Sequence, residues 1–185
     1  MTRRAPVWLF DLDDTLHHAG AQILPQINVL MTEFVARTLA TDLDTASAIR
    51  ADYWRRYGAT LLTNAPTAYA ADVLRHLRLA LQFDHEVAIE QMAVHGRLRP
   101  KPDLLMLRRL LARQRIAPSR AILVEDTLSH LKRYKRLGLR TVWMTGYLSG
   151  HGTAAGTQRA GARGRKPGYV DIKVRSLAAL RRALR

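Results

Sequence analysis

The sequence predicts an α/β fold: a Rossmann-like parallel sheet with helices on both faces and a reduced helical cap insertion after the first strand. Three observations carry this. Residues 7–10, 121–124 and 141–144 are short runs, apolar but for Thr141, without the period-2 polarity of a half-exposed strand, as expected for strands buried on both sides. Segments with helical spacing alternate with them. Two of the runs end directly in acid, the first at Asp11 and the second at Glu125 and Asp126.

Residues 7–10 (Val-Trp-Leu-Phe) read as a central strand opening into a polar loop. Residues 25–40 place Ile27, Leu30, Met31, Phe34, Val35 and Leu39 on one helical face, with Pro25 suited to a first turn. A second helix is predicted over residues 44–57, stopped by Gly58, followed by a strand over 59–62 that ends in Thr63 and Asn64. Residues 67–81 read as a helix, 86–89 as a weak strand and 103–115 as a strong helix. Then come a strand over 121–124, a helix over 129–137 stopped by Gly138, and a strand over 141–144. Residues 149–168 are rich in Gly, Ala, Thr and Arg and read as a flexible loop, before an edge strand within 169–174 and a last helix from Ser176. The core is thus expected in residues 1–16 and 59–185, with 17–58 forming a reduced cap or crossover helices.

The 185 residues, 48% of them hydrophobic, suffice for one globular domain and exclude wholesale disorder. The absence of cysteine excludes disulfides, thiolate metal sites and cysteine nucleophiles. Only four apolar residues precede Asp11 in the first run, too few for a signal peptide or a membrane span, so no membrane partner and a cytoplasmic location are expected. The formal charge of +15 is uneven: residues 1–96 carry 8 basic and 11 acidic side chains, residues 97–185 carry 22 basic and 4 acidic. A basic half of this kind raises a polyanion as partner, although a solvated surface accounts for it more simply. Aromatic residues are not interleaved with the basic runs, which disfavours a single-strand nucleic-acid surface; Arg159, Arg163, Arg165 and Lys166 are the best place for RNA contact.

In a parallel sheet the carboxyl ends of all strands share one edge, where ligands bind. Asp11, Asp13, Glu125 and Asp126 should converge there. Their repulsion calls for a cation, and an all-oxygen donor set suits Mg²⁺. The bland alternative is that acids at strand ends only cap the following helices, a reading that weakens when two strands share the feature.

These residues carry a resemblance. Phe10-Asp11-Leu12-Asp13-Asp14-Thr15-Leu16 resembles the first motif of the haloacid dehalogenase (HAD) superfamily, Asp-x-Asp-x-Thr after an apolar strand. Thr63-Asn64 is similar to its second motif, Lys101-Pro102 to its third and Val124-Glu125-Asp126-Thr127 to its fourth. Tyr53, Tyr57, Gly58, Leu61 and Thr63-Asn64-Ala65 resemble the pyrimidine 5′-nucleotidase type. The resemblance implies a Mg²⁺-dependent phosphomonoester hydrolase acting on a small phosphorylated substrate, a nucleotide if the subtype carries over. It implies Asp11 as nucleophile and Asp13 as acid and base. It places Mg²⁺ on Asp11, the Asp13 carbonyl and Asp126, with Glu125 and Thr15 in support. Thr63, Asn64 and Lys101 would hold the phosphoryl oxygens.

Two departures stand out. Asp14 replaces the more usual Asn at a turn position that tolerates either. Several dozen residues that separate the Tyr-Gly-x-x-Leu element from Thr-Asn in relatives are missing, so the two are fused over residues 57–64. The first strand ends at the active-site edge and the next must start at the opposite one. Helices over 25–40 and 44–57 would span roughly 24 and 21 Å and cancel if both stood above the site. One of them, 44–57 by preference, is therefore expected to lie along the sheet as a right-handed crossover, leaving an open site. The rival class is a catalytically weak module that binds a polyanion or protein through its basic half. His17, His18 and His130 read as solvent-facing, and Trp8, Phe10 and Trp143 as core.

Overall fold

The computed structural model describes residues 6–16, 36, 40–46, 48, 58–147, 165–176 and 179–180. In chain order its elements are β1 (Val7–Phe10), β2 (Ala59–Leu62), α1 (Thr67–His76), β3 (His85–Val87), β4 (Ala93–Val94), β5 (Arg97–Leu98), α2 (Leu104–Arg113), β6 (Ala121–Glu125), α3 (Leu128–Lys135), β7 (Arg140–Met144) and β8 (Ile172–Val174). A six-stranded sheet runs β3-β2-β1-β6-β7-β8, every adjacent pair parallel. From β1 the chain winds outward through β2 and β3, then returns to the other side of β1 and winds outward through β6, β7 and β8. The crevice beyond the carboxyl ends of β1 and β6 is therefore the topological switch point, where open α/β sheets bind ligands.

The absence of period-2 polarity has its expected cause. Leu9, Leu123 and Trp143 pack with Leu107 and Leu111 of α2 and Leu131 and Tyr134 of α3 on one face. Their chain neighbours Trp8, Phe10, Ile122, Val124, Val142 and Met144 pack with Ala70 and Leu74 of α1 on the other. Each strand thus buries both alternating sets, and Trp8, Phe10 and Trp143 are core as expected.

Element ends differ from the sequence reading. The helix expected over 67–81 stops at His76, because Arg78 takes a left-handed conformation (φ 54°) and Leu79 N–H returns to the Leu74 carbonyl at 2.8 Å. The helix expected over 103–115 is one turn shorter by the same device: Arg115 has φ 54° and Ile116 N–H donates to the Leu111 carbonyl at 2.8 Å. Both are helix stops normally signalled by glycine, as Gly138 (φ 88°) does after α3. Arginine pays roughly 1–2 kcal/mol of steric energy there. Exchanging exposed Arg115 for glycine is expected to stabilise the domain by about 0.5–1 kcal/mol in urea denaturation. A loss of stability would show that the Arg115 side chain makes a compensating contact.

The strand expected over 86–89 is β3, which starts one residue earlier and ends two residues earlier, and a 3₁₀ turn (Ile89–Met92) follows it. The hairpin β4-β5 is absent from the sequence reading. Its two-residue turn, His95 and Gly96, has positive φ at both positions (52° and 70°), as a primed turn requires. At the far edge β8 forms within the expected span. Thr145 N–H and Oγ1 both donate to the Val174 carbonyl, and a Cβ on Gly146 would lie 2.0 Å from the Arg175 carbonyl oxygen, so only glycine fits that approach.

The expected helix over 25–40 and most of that over 44–57 lie outside the described residues, as does most of the loop over 149–168. A helical stretch at 43–46 is described, capped by Asp42, whose Oδ1 accepts Thr45 N–H at 2.7 Å. Among the described residues no helix is long and apolar enough to cross a membrane.

Candidate active site

Register brings the acids together. Phe10 pairs with Val124 across β1 and β6, and Asp11 N–H donates to the Val124 carbonyl at 3.0 Å, so Asp11 and Glu125 leave adjacent strands at the same level. Side chains alternate along a strand, so both point to the face of Leu9 and Leu123, where α2 and α3 pack. Asp126 follows at the start of the next turn, held by Trp143 Nε1–H donating to its carbonyl at 2.8 Å. Carboxylate oxygens of Asp11, Glu125 and Asp126 lie within 4.8 Å of one another.

Among the described residues one lysine enters this cluster. Lys101, 2% exposed in its side chain, donates from Nζ to Asp11 Oδ1 at 2.5 Å and to Glu125 Oε2 at 2.9 Å. The loop that carries it is fastened by Asn64, whose Oδ1 accepts Lys101 N–H at 2.8 Å and whose Nδ2 donates to the Lys101 carbonyl at 3.2 Å. Asn64, expected on a phosphoryl oxygen, is thus turned onto the Lys101 backbone. Thr63 is buried and accepts Ala65 N–H at 3.0 Å, keeping its own O–H to donate. Thr15 is buried and its hydroxyl has no hydrogen-bond partner among the described residues. Asp14 sits at φ 52°, a left-handed turn position where Asp and Asn are the favoured side chains, which accounts for its exchange with Asn.

Two residues were not legible as part of the site. His130, expected on the surface, turns inward: its Nδ1 lies 3.2 Å from Glu125 Oε2 and its side chain is 17% exposed. The charged neighbours Lys132, Arg133, Lys135 and Arg136 suggested solvent, but the face of α3 is set by spacing, and His130 shares it with buried Tyr134. Tyr69, in the first turn of α1, donates from its hydroxyl to Asp13 Oδ1 at 3.0 Å. Its signal was positional: a helix that starts just after the Thr63-Asn64 loop presents its first turn to the same sheet edge.

Three carboxylates against one lysine leave the cluster short of positive charge. Burial, and then the neighbouring Glu125 charge, push Asp11 up to about 7 against the pull of Lys101. Burial, Glu125 and Asp11 push Asp126 up to about 9. Burial acts on Glu125 too, but the Lys101 charge overrides it and holds this carboxyl below the usual carboxylate range. Lys101 is in turn held above the usual lysine range by Glu125 and Asp11, which outweigh its burial. The cluster therefore takes up protons where no other cation is supplied. A hard divalent ion with oxygen ligands suits this donor set, and Asp11 and Asp126 are the carboxylates with charge to give it.

This makes a linkage expectation. A carboxyl raised in the folded state contributes stability that is complete below its unfolded value and is lost as pH rises through its folded value. For Asp11 and Asp126 the window runs from about 4 to about 9. The melting temperature of cation-free protein should fall across it, and added Mg²⁺ should raise it most at the alkaline end, since cation and protons compete for the same oxygens. A melting temperature indifferent to Mg²⁺ at pH 9 would count against cation binding.

The fold is shared with known structures. A HAD phosphatase from Thermococcus onnurineus is 17% identical with a TM-score of 0.56 over 97% of both chains. The haloacid dehalogenase-like hydrolase SP0104 from Streptococcus pneumoniae is 14% identical with a TM-score of 0.57 over 98% of this chain and 99% of its own. YfnB from Bacillus subtilis, in a crystal structure bound to magnesium, is 14% identical with a TM-score of 0.60 over 98% of this chain and 99% of its own. No family model and no curated protein sequence matches the chain. The chain has the Rossmann-like α/β fold of the HAD hydrolases.

Proposed function

We propose that the protein is a Mg²⁺-dependent phosphomonoester hydrolase that works through an aspartyl-phosphate at Asp11. The observation that carries this reading is Asp11 itself: a buried carboxylate at the switch point, clamped by Lys101 and grouped with Glu125 and Asp126. An Asp11 oxygen attacks phosphorus in line, the ester P–O bond breaks, and the leaving oxygen takes a proton from Asp13. Water then attacks the aspartyl-phosphate, giving its proton back to Asp13 and releasing inorganic phosphate with the Asp11 carboxylate restored. Thr63 O–H and Lys101 Nζ are the donors available to the phosphoryl oxygens. Asp11, Asp126 and the Asp13 carbonyl would hold Mg²⁺, which when bound would neutralise charge on the carboxylates and the phosphoryl group.

The substrate is a small phosphate ester, with a nucleotide of the pyrimidine 5′-nucleotidase type favoured by the Thr63-Asn64-Ala65 and Tyr57-Gly58 similarities. The short stretch of residues 17–58, read as a reduced cap or crossover, favours an open site with weak discrimination among small phosphates. Hydrolysis of p-nitrophenyl phosphate that depends on Mg²⁺, with nucleoside monophosphates as competitors, tests the reading. Absence of turnover with and without Mg²⁺ would overturn it.

A second reading, a polyanion-binding module, is favoured by one feature. An open cleft of about 680 Å³ is lined by Arg97, Arg99, Lys101 and Arg133, with Asp103 its one acid among the described residues. Asp103 is engaged by Arg99 Nη1 at 3.0 Å and by Met106 N–H at 2.9 Å. RNA held there through phosphates alone should dissociate as ionic strength rises; a sequence-selective complex stable at physiological salt would promote this reading.

A further inference from the structure

The hydrogen bond from Tyr69 to Asp13 joins an exposed residue to the group that moves the proton. Tyr69 is 42% exposed, so its ring lies at the mouth of the site rather than in the core, and burial does not explain where its hydroxyl points. The helix that presents it is held from a distance. Glu90, in the 3₁₀ turn after β3, accepts Thr67 N–H at 3.0 Å and Thr67 Oγ1–H at 2.7 Å, fixing the first residue of α1 and with it the turn that bears Tyr69. An ordinary phenol is protonated throughout the neutral range, so in this contact Tyr69 is the donor and Asp13 Oδ1 the acceptor.

We propose that Tyr69 is a positioning residue for acid catalysis, aiming the Asp13 carboxyl at the leaving oxygen by occupying its Oδ1. An oxygen that already accepts a phenol hydrogen is the poorer base, so the transferable proton rides on Oδ2. That proton passes to the oxygen of the departing alcohol as the ester P–O bond breaks. Tyr69 gives up no proton and touches no reacting atom. The inference rests on the phosphomonoesterase reading above and on Asp13 as its acid.

The test compares two leaving groups in wild type and Tyr69→Phe, both with Mg²⁺. A p-nitrophenolate leaves without protonation, whereas the alkoxide of glycerol phosphate needs the acid. The ratio kcat/KM reports only the half-reaction that forms the aspartyl-phosphate, so the later water attack common to both substrates drops out. Tyr69→Phe should lower kcat/KM for glycerol phosphate by roughly 10- to 100-fold, part of what a general acid supplies, and leave p-nitrophenyl phosphate within about threefold. Thermal stability should not change, since the lost hydroxyl lies on an exposed residue. An equal fall on both substrates would assign Tyr69 to shaping the site and overturn the proposal, as would no fall on either. Wild-type protein inactive on both substrates would instead remove the phosphatase reading and this inference with it, an outcome distinct from the other two.

Discussion

Asp11→Asn should abolish hydrolysis without weakening the fold. The amide matches the carboxylate in size and keeps the backbone N–H bonded to the Val124 carbonyl, but it cannot attack phosphorus and gives a cation no charge. Loss of an essential nucleophile typically costs a factor of at least about 1,000 in turnover. Stability should move the other way. Asp11 is raised to about 7 because burial and Glu125 oppose its charge, so in cation-free protein above that pH the neutral amide relieves a repulsion. The melting temperature of Asp11→Asn at pH 8 should equal or exceed that of wild type, while p-nitrophenyl phosphate turnover falls to background. Residual turnover above a few per cent would eliminate the aspartyl-phosphate route.

Lys101→Met should be the most destabilising single change at the site, with a pH signature that identifies the cause. Methionine fills similar volume but leaves Asp11 and Glu125, both buried, without their shared counter-charge. Removing one partner of a buried ion pair costs about 3–5 kcal/mol. These carboxyls can escape part of that by taking up protons. Glu125 sits low in wild type because of Lys101, so without the lysine its value rises and the folded state gains a proton as pH falls. The deficit relative to wild type should therefore be large at pH 8 and smaller at pH 5, measured by chemical denaturation at both. Equal deficits at the two pH values would mean that lost packing, not unpaired charge, is responsible.

Much of this arrangement was legible because charge and hydropathy change sharply within a few residues. A buried strand that ends in acid is visible in residues 7–11 and again in 121–126, and the Lys-Pro and Thr-Asn dipeptides fall where the fold needs them. Features set by backbone conformation rather than side-chain class were hidden. Arg78 and Arg115 stop helices in conformations that sequence reading assigns to glycine, so both helices looked a turn longer than they are. The hairpin over 93–98 has strands of two residues each, too short for any periodicity to register. His130 reads as surface because Lys132, Arg133, Lys135 and Arg136 follow it closely, while one helical turn on it lines up with buried Tyr134. Tyr69 carried no charge signal at all; its role depends on where α1 begins.

The burial of Lys101 also bears on how the protein meets amine-directed reagents. Acylation and reductive methylation need an unprotonated amine within reach of solvent, and this one is 2% exposed and held above the usual lysine range by two carboxylates. Lys132, by contrast, is exposed on α3. Graded labelling should modify Lys132 early and Lys101 last, and the rate at which Lys101 finally reacts then becomes a clock for the opening of the sheet edge around Asp11, readable by mass without any substrate.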